Sequence, residues 1–227
     1  MGDGVASQRG LRGESVYRRM RADLLGGRIR PGDRVTEHWA AEAYNVSRTP
    51  VREACRRLAE EGLLAHRPRH GYSAPVIDPV EIEEFYEVRR AIETVTVRRA
   101  AEASGPRPIL ASLRRAWSGD MPEPGVEIVY RDEAFHLALA RISNARVALQ
   151  MLESINARIR LVRVHDFLDQ DRIRATVDQH LAIIGAIERH DADRAVALID
   201  GHILESAEVV QEAAGRALAE LWAGAAG

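Results

Sequence analysis

From residue 14 onward the apolar positions of this chain recur mostly at steps of three and four, the period of a helix with one buried face. Val16, Met20 and Leu24 predict a first helix over residues 14–27, ended by Gly26-Gly27, with Arg30-Pro31-Gly32-Asp33 as a turn. Residues 36–44 form a short amphipathic helix, and Asn45-Val46 is a tight connector. Residues 46–62 then hold one helix with its start and stop written into it. Val51, Ala54, Cys55 and Leu58 make its buried stripe, Ser47 stands where a side-chain oxygen can accept an orphan N–H, and Pro50 falls in the first turn. Gly62 follows, where a left-handed cap is expected. Only here does the period change: Leu63-Leu64-Ala65 and Tyr72-Ser73-Ala74 read as two short strands around the basic turn Arg67-Pro68-Arg69-His70-Gly71.

Asp78-Pro79-Val80-Glu81 is a capping box with proline at the first helical position, so it marks a boundary and starts a long helix over 79–103. Ile82, Phe85, Arg89, Ile92 and Thr96 lie along one face of it. Gly105-Pro106 stops it, a short helix follows over 107–117, and 119–125 is a loop with two prolines. Helices are predicted at 126–142, 145–166, 171–190 and 192–222, with Asn144 and Asp191 as caps or turns between them. No segment after residue 76 alternates as a strand, and no internal repeat is visible. The fold class is mainly α: a winged helix-turn-helix over 14–76, then an all-helical bundle of about six helices over 78–222. Residues 1–13, rich in Gly and Arg, are expected to be a disordered tail.

Charge sharpens the division. Residues 1–77 carry 14 Arg against 9 acidic residues, whereas the remainder carries 18 against 25, giving the overall charge of −2. A basic first third and an acidic remainder fit a DNA-binding module joined to a domain that does not touch DNA. Every one of the 32 basic residues is Arg, so Arg abundance by itself says nothing about DNA. No apolar run reaches the length of a membrane span and no signal peptide opens the chain, so membrane partners are not expected. The single cysteine, Cys55, excludes an internal disulfide and suits the cytoplasm.

Arg48, Thr49, Arg52 and Arg56 lie off the buried stripe of the 46–62 helix. Arg can bond bidentately to guanine, and Thr can serve base edges or phosphate, so the exposed start of this helix suits a major groove. The expected DNA-facing set is His38, Ser47, Arg48, Thr49, Pro50 and Arg52, with Arg69, His70 and Gly71 in the wing. Residues 31–37 (Pro-Gly-Asp-Arg-Val-Thr-Glu), 46–54 (Val-Ser-Arg-Thr-Pro-Val-Arg-Glu-Ala), Leu58 and Glu61-Gly62-Leu63 resemble the N-terminal signature of the GntR family of bacterial regulators. The resemblance covers residues 14–76. It implies a homodimer on a palindromic double-stranded operator, with repression relieved by ligand as the default.

In the second region Asp132 and His136 are four apart and share a helix face with Phe135 and Leu139 beside them. His180 lies among Val177, Ile183, Ile184 and Ile187, and His202 follows Leu198 and Ile199. Three helices thus bring one carboxylate and three imidazoles inward, a donor set that suits Zn, Ni, Mn or Fe. Three separate, hydrogen-bonded core histidines also account for the spacing, and spacing alone favours that account. Tyr86-Glu87-Val88-Arg89 with Glu93, residues 132–136, Ser143-Asn144, His180, residues 186–188, Asp191, Ala195 and His202 resemble the effector-binding and dimerisation domain of the FadR subfamily, with the six helices of its VanR-like group. That resemblance implies a divalent metal on Asp132, His136, His180 and His202.

Arg89, on an apolar face, needs a partner: Glu93 one turn on, or the carboxylate of a small organic acid held bidentately. Arg158, between Ile155 and Val162, is a second candidate of this kind. His165 could join the site, His190 suits a helix C-terminal turn, and His66 has no assignable role. Two rival functions stand beside the regulator: a metalloenzyme using the Asp/His set to activate water, and an effector-free DNA-binding dimer.

Overall fold

The computed structural model describes the backbone of residues 3–76, 78–104 and 107–225, and side chains from residue 14 onward except at 126, 165, 217, 218 and 220–225. The chain divides into two compact units, residues 1–77 and 78–227.

The first unit runs α1 (Asp3–Leu25), β1 (Arg34–Val35), α2 (Glu37–Tyr44), α3 (Arg48–Glu60), β2 (Ala65–Arg67) and β3 (Gly71–Ser73). The backbone of α1 begins eleven residues before the predicted start, across the stretch expected to be a tail; no proline interrupts residues 3–13, so the helix can propagate backward from its nucleus. The side chains of that stretch lie outside the described residues. Val16, Met20, Val51, Cys55, Leu58 and Leu63 are fully buried and form the core of the unit.

Thr36 caps α2 by accepting the Trp39 N–H at 3.1 Å, and Asn45, in the left-handed region at φ 53°, closes the same helix. Ser47 occupies the cap position of α3 with extended backbone, but its hydroxyl makes no cap bond, contrary to expectation. At the other end Gly62 has φ 76°, and Leu63 and Leu64 both donate to the Leu58 carbonyl, at 2.8 and 3.1 Å. Those bonds bury the two leucines in the helix-ending turn, so the first hairpin strand starts at Ala65 rather than Leu63. The sheet has a third strand the periodicity did not reveal: β1 pairs antiparallel with β3, which is central, in the order β1-β3-β2. Two residues are too few to show an alternation.

The second unit runs α4 (Pro79–Glu102), α5 (Pro108–Trp117), α6 (Val126–Ile142), α7 (Arg146–Arg163), a 3-10 turn (Val164–Phe167), α8 (Gln170–Glu188) and α9 (Ala192–Ala225). Asp78 caps α4 through the Val80 N–H at 2.9 Å, with Pro79 in the first turn; Glu81 faces Arg158 at 3.6 Å. The buried face of α4 runs through Ile82, Tyr86, Arg89, Glu93, Thr96 and Val97. Phe85 and Ile92, expected on that face, sit at its half-exposed edge. The difference is physical: Arg89 Nε bonds the Glu93 carboxylate, so a charged pair can take the centre of the stripe. Asn144 (φ 54°) and His190 (φ 59°) make the turns, and Asp191 caps α9 by accepting the Arg194 N–H at 3.0 Å. Among the described residues no helix is long and apolar enough to cross a membrane.

Candidate functional site

In the first unit the outward side of α3 begins with Ser47, Arg48 and Thr49, all exposed, and Pro50, half-buried against the stripe. Arg48 Nη2 lies 3.4 Å from Nδ1 of His38 on α2, so these two predicted residues share one surface. Arg52 is held differently. Its Nε and Nη2 donate to the two carboxylate oxygens of Glu37 at 2.7 and 2.8 Å, and those bonds lower the Glu37 pKa. Glu37 was not foreseen as part of the site, since nothing in the spacing tells which Arg an acid on the preceding helix will reach. In the wing, Arg69 (φ 66°) and Gly71 (φ 85°) turn the chain; a Cβ on Gly71 would meet the Val35 carbonyl at 3.4 Å. Arg69 and His70 are exposed at the tip, and Arg34 braces it by donating to the His70 carbonyl at 3.1 Å. His66 lies edge-on to Tyr72 with ring centres 5.2 Å apart. Cys55 is buried, and burial pushes its thiol pKa up to about 12.

In the second unit Asp132 and His136 on α6, His180 on α8 and His202 on α9 converge, each no more than 3% exposed. One donor atom from each lies within 4.8 Å of all the others. Nε2 of His202 is 3.3 Å from Nε2 of both His136 and His180, and Asp132 lies 3.4 Å from His136 and from His180. A tetrahedral ion with bonds of about 2.0–2.1 Å sets its ligand atoms roughly 3.3–3.4 Å apart. The neighbours decide which atoms face inward. His202 Nδ1 bonds the Gln179 amide oxygen at 2.7 Å, and His136 Nδ1 bonds a Glu93 carboxylate oxygen. Each of these Nδ1 atoms therefore carries the proton, which leaves a bare Nε2 lone pair turned toward the centre. His180 is fixed by stacking on Phe135, with ring centres 3.7 Å apart, and by Trp117 edge-on at 4.2 Å. Asp132 Oδ1 is buried and accepts no hydrogen bond. Lone pairs at this separation repel unless a cation or a proton lies between them, so the donor set fits a divalent ion.

The titration directions agree at Asp132, His180 and His202, while at His136 a proton competes for the same lone pair. Burial, reinforced by neighbouring positive charge, holds His180 and His202 well below the usual imidazole range, hence neutral. Burial also opposes charge on His136, but the Glu93 and Asp132 carboxylates outweigh it and push this imidazole up. Burial would raise Asp132, yet Arg163 and His136 hold it well below the usual carboxylate range. For Glu93 burial is likewise overcome by His136 and Arg89, which bring it down to about 2.

Arg89 meets the plain partner expected for it: its Nε donates to Glu93 at 2.6 Å. Its Nη1 and Nη2, however, are buried without partners. Arg158 does not join them. It is exposed on the outer side of α7, facing Glu81, because Ile155, Ile159 and Val162 set the buried face and Arg158 lies about a quarter-turn from it. The inward arginine of α7 is Arg163, which went unforeseen at the helix end; it is fully buried and donates through Nη2 to Asp132. The His165 side chain lies outside the described residues. His190 sits in an exposed turn beside Arg107, its Nδ1 2.9 Å from the Ala101 carbonyl.

Comparison with known proteins gives two family matches: "Bacterial regulatory proteins, gntR family" over residues 12–73 and "FCD domain" over residues 84–205. The Nta operon transcriptional regulator of Aminobacter aminovorans is 33% identical over 159 residues, 68% of this chain and 73% of that protein. The HTH-type transcriptional repressor RspR of Escherichia coli K12 is 29% identical over 186 residues, 78% of this chain and 79% of its own. Among solved structures, E. coli McbR/YncC superposes with a TM-score of 0.60 at 21% identity, covering 88% of this chain and 97% of its own. A putative GntR regulator from Rhodococcus sp. RHA1 gives 0.59 at 25% identity with the same coverage.

Proposed function

The chain belongs to the GntR family of bacterial transcriptional regulators and carries an FCD domain, and on that premise we propose that it is a repressor released from its operator by a small organic acid. It is a DNA-binding transcriptional regulator, not an enzyme. The proposal adds how that binding is controlled.

One observation carries it: three imidazoles and a carboxylate converge in the interior of the helical unit, with the imidazole protons tied up on the outside at His136 and His202. We assign Asp132, His136, His180 and His202 as ligands of one divalent ion, of the Zn, Ni, Mn or Fe class that such donors suit. Bound there, the ion supplies a positive centre for a carboxylate oxygen. Arg89 orients that carboxylate with its two spare N–H groups, Glu93 and Gln179 hold the imidazoles in the ligating tautomer, and burial of the whole set excludes water. Acid and operator are then coupled by the differential affinity of the acid for the DNA-competent and DNA-released states.

Arg48, Thr49 and His38 serve base edges and phosphates, and Arg69, His70 and Gly71 bring the wing onto the backbone of the duplex. The chain works as a homodimer on a palindromic operator, in the cytoplasm where the DNA is. The contact between copies is through the helical unit, where Val88 and Val95 on α4 and Val147 and Met151 on α7 are exposed apolar side chains. The test is operator binding by full-length protein purified without a metal-affinity tag, titrated with organic acids before and after chelation. Release by an acid only in the metal-loaded protein is the expected result. Release that survives chelation unchanged would leave Arg89 to bind the acid alone.

A further inference from the structure

Two buried guanidiniums, not one, border the Asp/His cluster. Arg89 spends Nε on Glu93 and keeps Nη1 and Nη2; Arg163 spends Nη2 on Asp132 and keeps Nε and Nη1. Both side chains are 1% exposed or less, so the spare donors do not reach bulk water. Donors of a charged group left unpaired in an interior are costly, and four of them in one region call for an occupant with matching acceptors.

The two arginines flank the cluster from opposite ends: Arg89 bonds Glu93, which holds His136, and Arg163 bonds Asp132, which faces His136 Nε2 at 3.4 Å across the proposed ion site. Tyr86 lies near both of them. Arg89 Cζ lies 5.7 Å from the centre of the Tyr86 ring, and the charges of Arg163 and Arg89 both act on the Tyr86 phenol. Asn156, two turns before Arg163 on α7, is buried with both amide atoms unpartnered.

Charge decides what the occupant is. Arg89 is balanced by Glu93, Arg163 by Asp132 and Arg172 by Asp166. Ligation requires neutral imidazoles, so a bound divalent ion leaves two uncompensated positive charges in the interior. A monoacid cancels one of them, a neutral sugar or alcohol neither, and a dianion both; residual charge in a low-dielectric interior is strongly disfavoured. The donors agree with the count. Nη1 and Nη2 of Arg89 form the end-on pair that grips both oxygens of a carboxylate. Arg163 offers Nε and Nη1 from different edges, so it meets a second carboxylate through one oxygen at a time.

We infer that the effector is a short dicarboxylate, one acid group held by Arg89 and the other by Arg163, an inference that rests on the bundle interior being the effector site. Arg163 is then the residue that separates diacids from monoacids.

Titration calorimetry on the full-length, metal-loaded protein tests it with two series matched in carbon number: malonate, succinate, glutarate and adipate against propionate, butyrate, pentanoate and hexanoate. One diacid length should bind about 10- to 100-fold more tightly than its monoacid match, the size of one charge-assisted contact, with weaker binding on either side because both guanidiniums stand on fixed helices. Arg163→Gln, with metal content measured in the same sample, should bring that diacid to within about threefold of the monoacid. Arg163→Lys, which keeps a cation beside Asp132 but removes Nε, guards against simple loss of the ligand set and should cut the preference in part. Monoacids equal to diacids on the parent protein, or a diacid preference that survives both Arg163 variants, overturns the inference and leaves the effector site standing. Failure of every acid in both series to bind the metal-loaded protein overturns the effector site and the inference together.

Discussion

Arg48 and Arg52 stand one turn apart on the exposed side of α3, yet they are not equivalent. Arg52 is clamped bidentately by Glu37, whereas Arg48 has only a 3.4 Å contact with His38. Arg48 is therefore the freer group to reach a guanine edge, and Arg48→Ala should cost about 1–3 kcal/mol of operator binding and relax one position. Competition binding against single-base operator variants measures this; an equal loss on random DNA would make Arg48 a phosphate contact instead. A second prediction concerns Cys55. With its thiol pushed up to about 12 it stays protonated in the folded protein far above the ordinary thiol range, and only the thiolate reacts. Iodoacetamide at pH 8 should leave Cys55 unmodified in native protein and alkylate it in denaturant, as read by mass spectrometry. At this scale the sequence tells which side chains carry chemistry but not which partner each takes. Arg158 and Arg163 both sit on α7 beside apolar neighbours, and only the phase of the helix separates the surface residue from the buried one.

Helices were legible where their ends carry strong signals. Asp78-Pro79 and Gly62 did what their chemistry demands, and α6 runs over Val126–Ile142 as the pattern predicts. Weak signals failed: β1 is too short to alternate, and Ser47 stands at a cap without making its bond. That contrast yields a prediction for the helix-turn-helix. Thr36 bonds the Trp39 N–H and Ser47 bonds nothing at its helix start, so Thr36→Ala should destabilise the domain by about 1 kcal/mol and Ser47→Ala by distinctly less. Asn45 holds a left-handed conformation between α2 and α3, which a β-branched residue resists. Asn45→Val should therefore cost about 1–2 kcal/mol or more, and Asn45→Gly little. Urea unfolding of the four single variants decides these points, and equal losses for Thr36→Ala and Ser47→Ala would sink the distinction.

At the scale of the molecule, the Asp/His cluster was visible only in part. Asp132 and His136 follow from a four-residue step on one helix, but nothing in the spacing of His180 and His202 fixes their distance from α6; packing of α8 and α9 does that. The consequence is a linkage between metal, protons and folding. Binding to the folded state alone stabilises it by mass action, about 2.7 kcal/mol when free metal exceeds Kd 100-fold. Tag-free protein should hold one divalent ion per chain by elemental analysis, and chelation should lower its melting temperature. Protons compete at His136, whose pKa is raised by Glu93 and Asp132 against the pull of burial. A raised folded-state value means that the apo protein gains stability from this proton below the unfolded imidazole pKa and loses it as pH climbs through the raised value. Metal takes the same lone pair, so its apparent affinity should climb with pH and level off only above the ordinary imidazole range. His180→Ala and His202→Ala should each abolish the thermal shift on adding Zn or Ni. If the parent protein holds substoichiometric metal and its melting is unmoved by either ion at pH 8, the three imidazoles are core residues sharing a proton, and the acid must be held by the arginines alone.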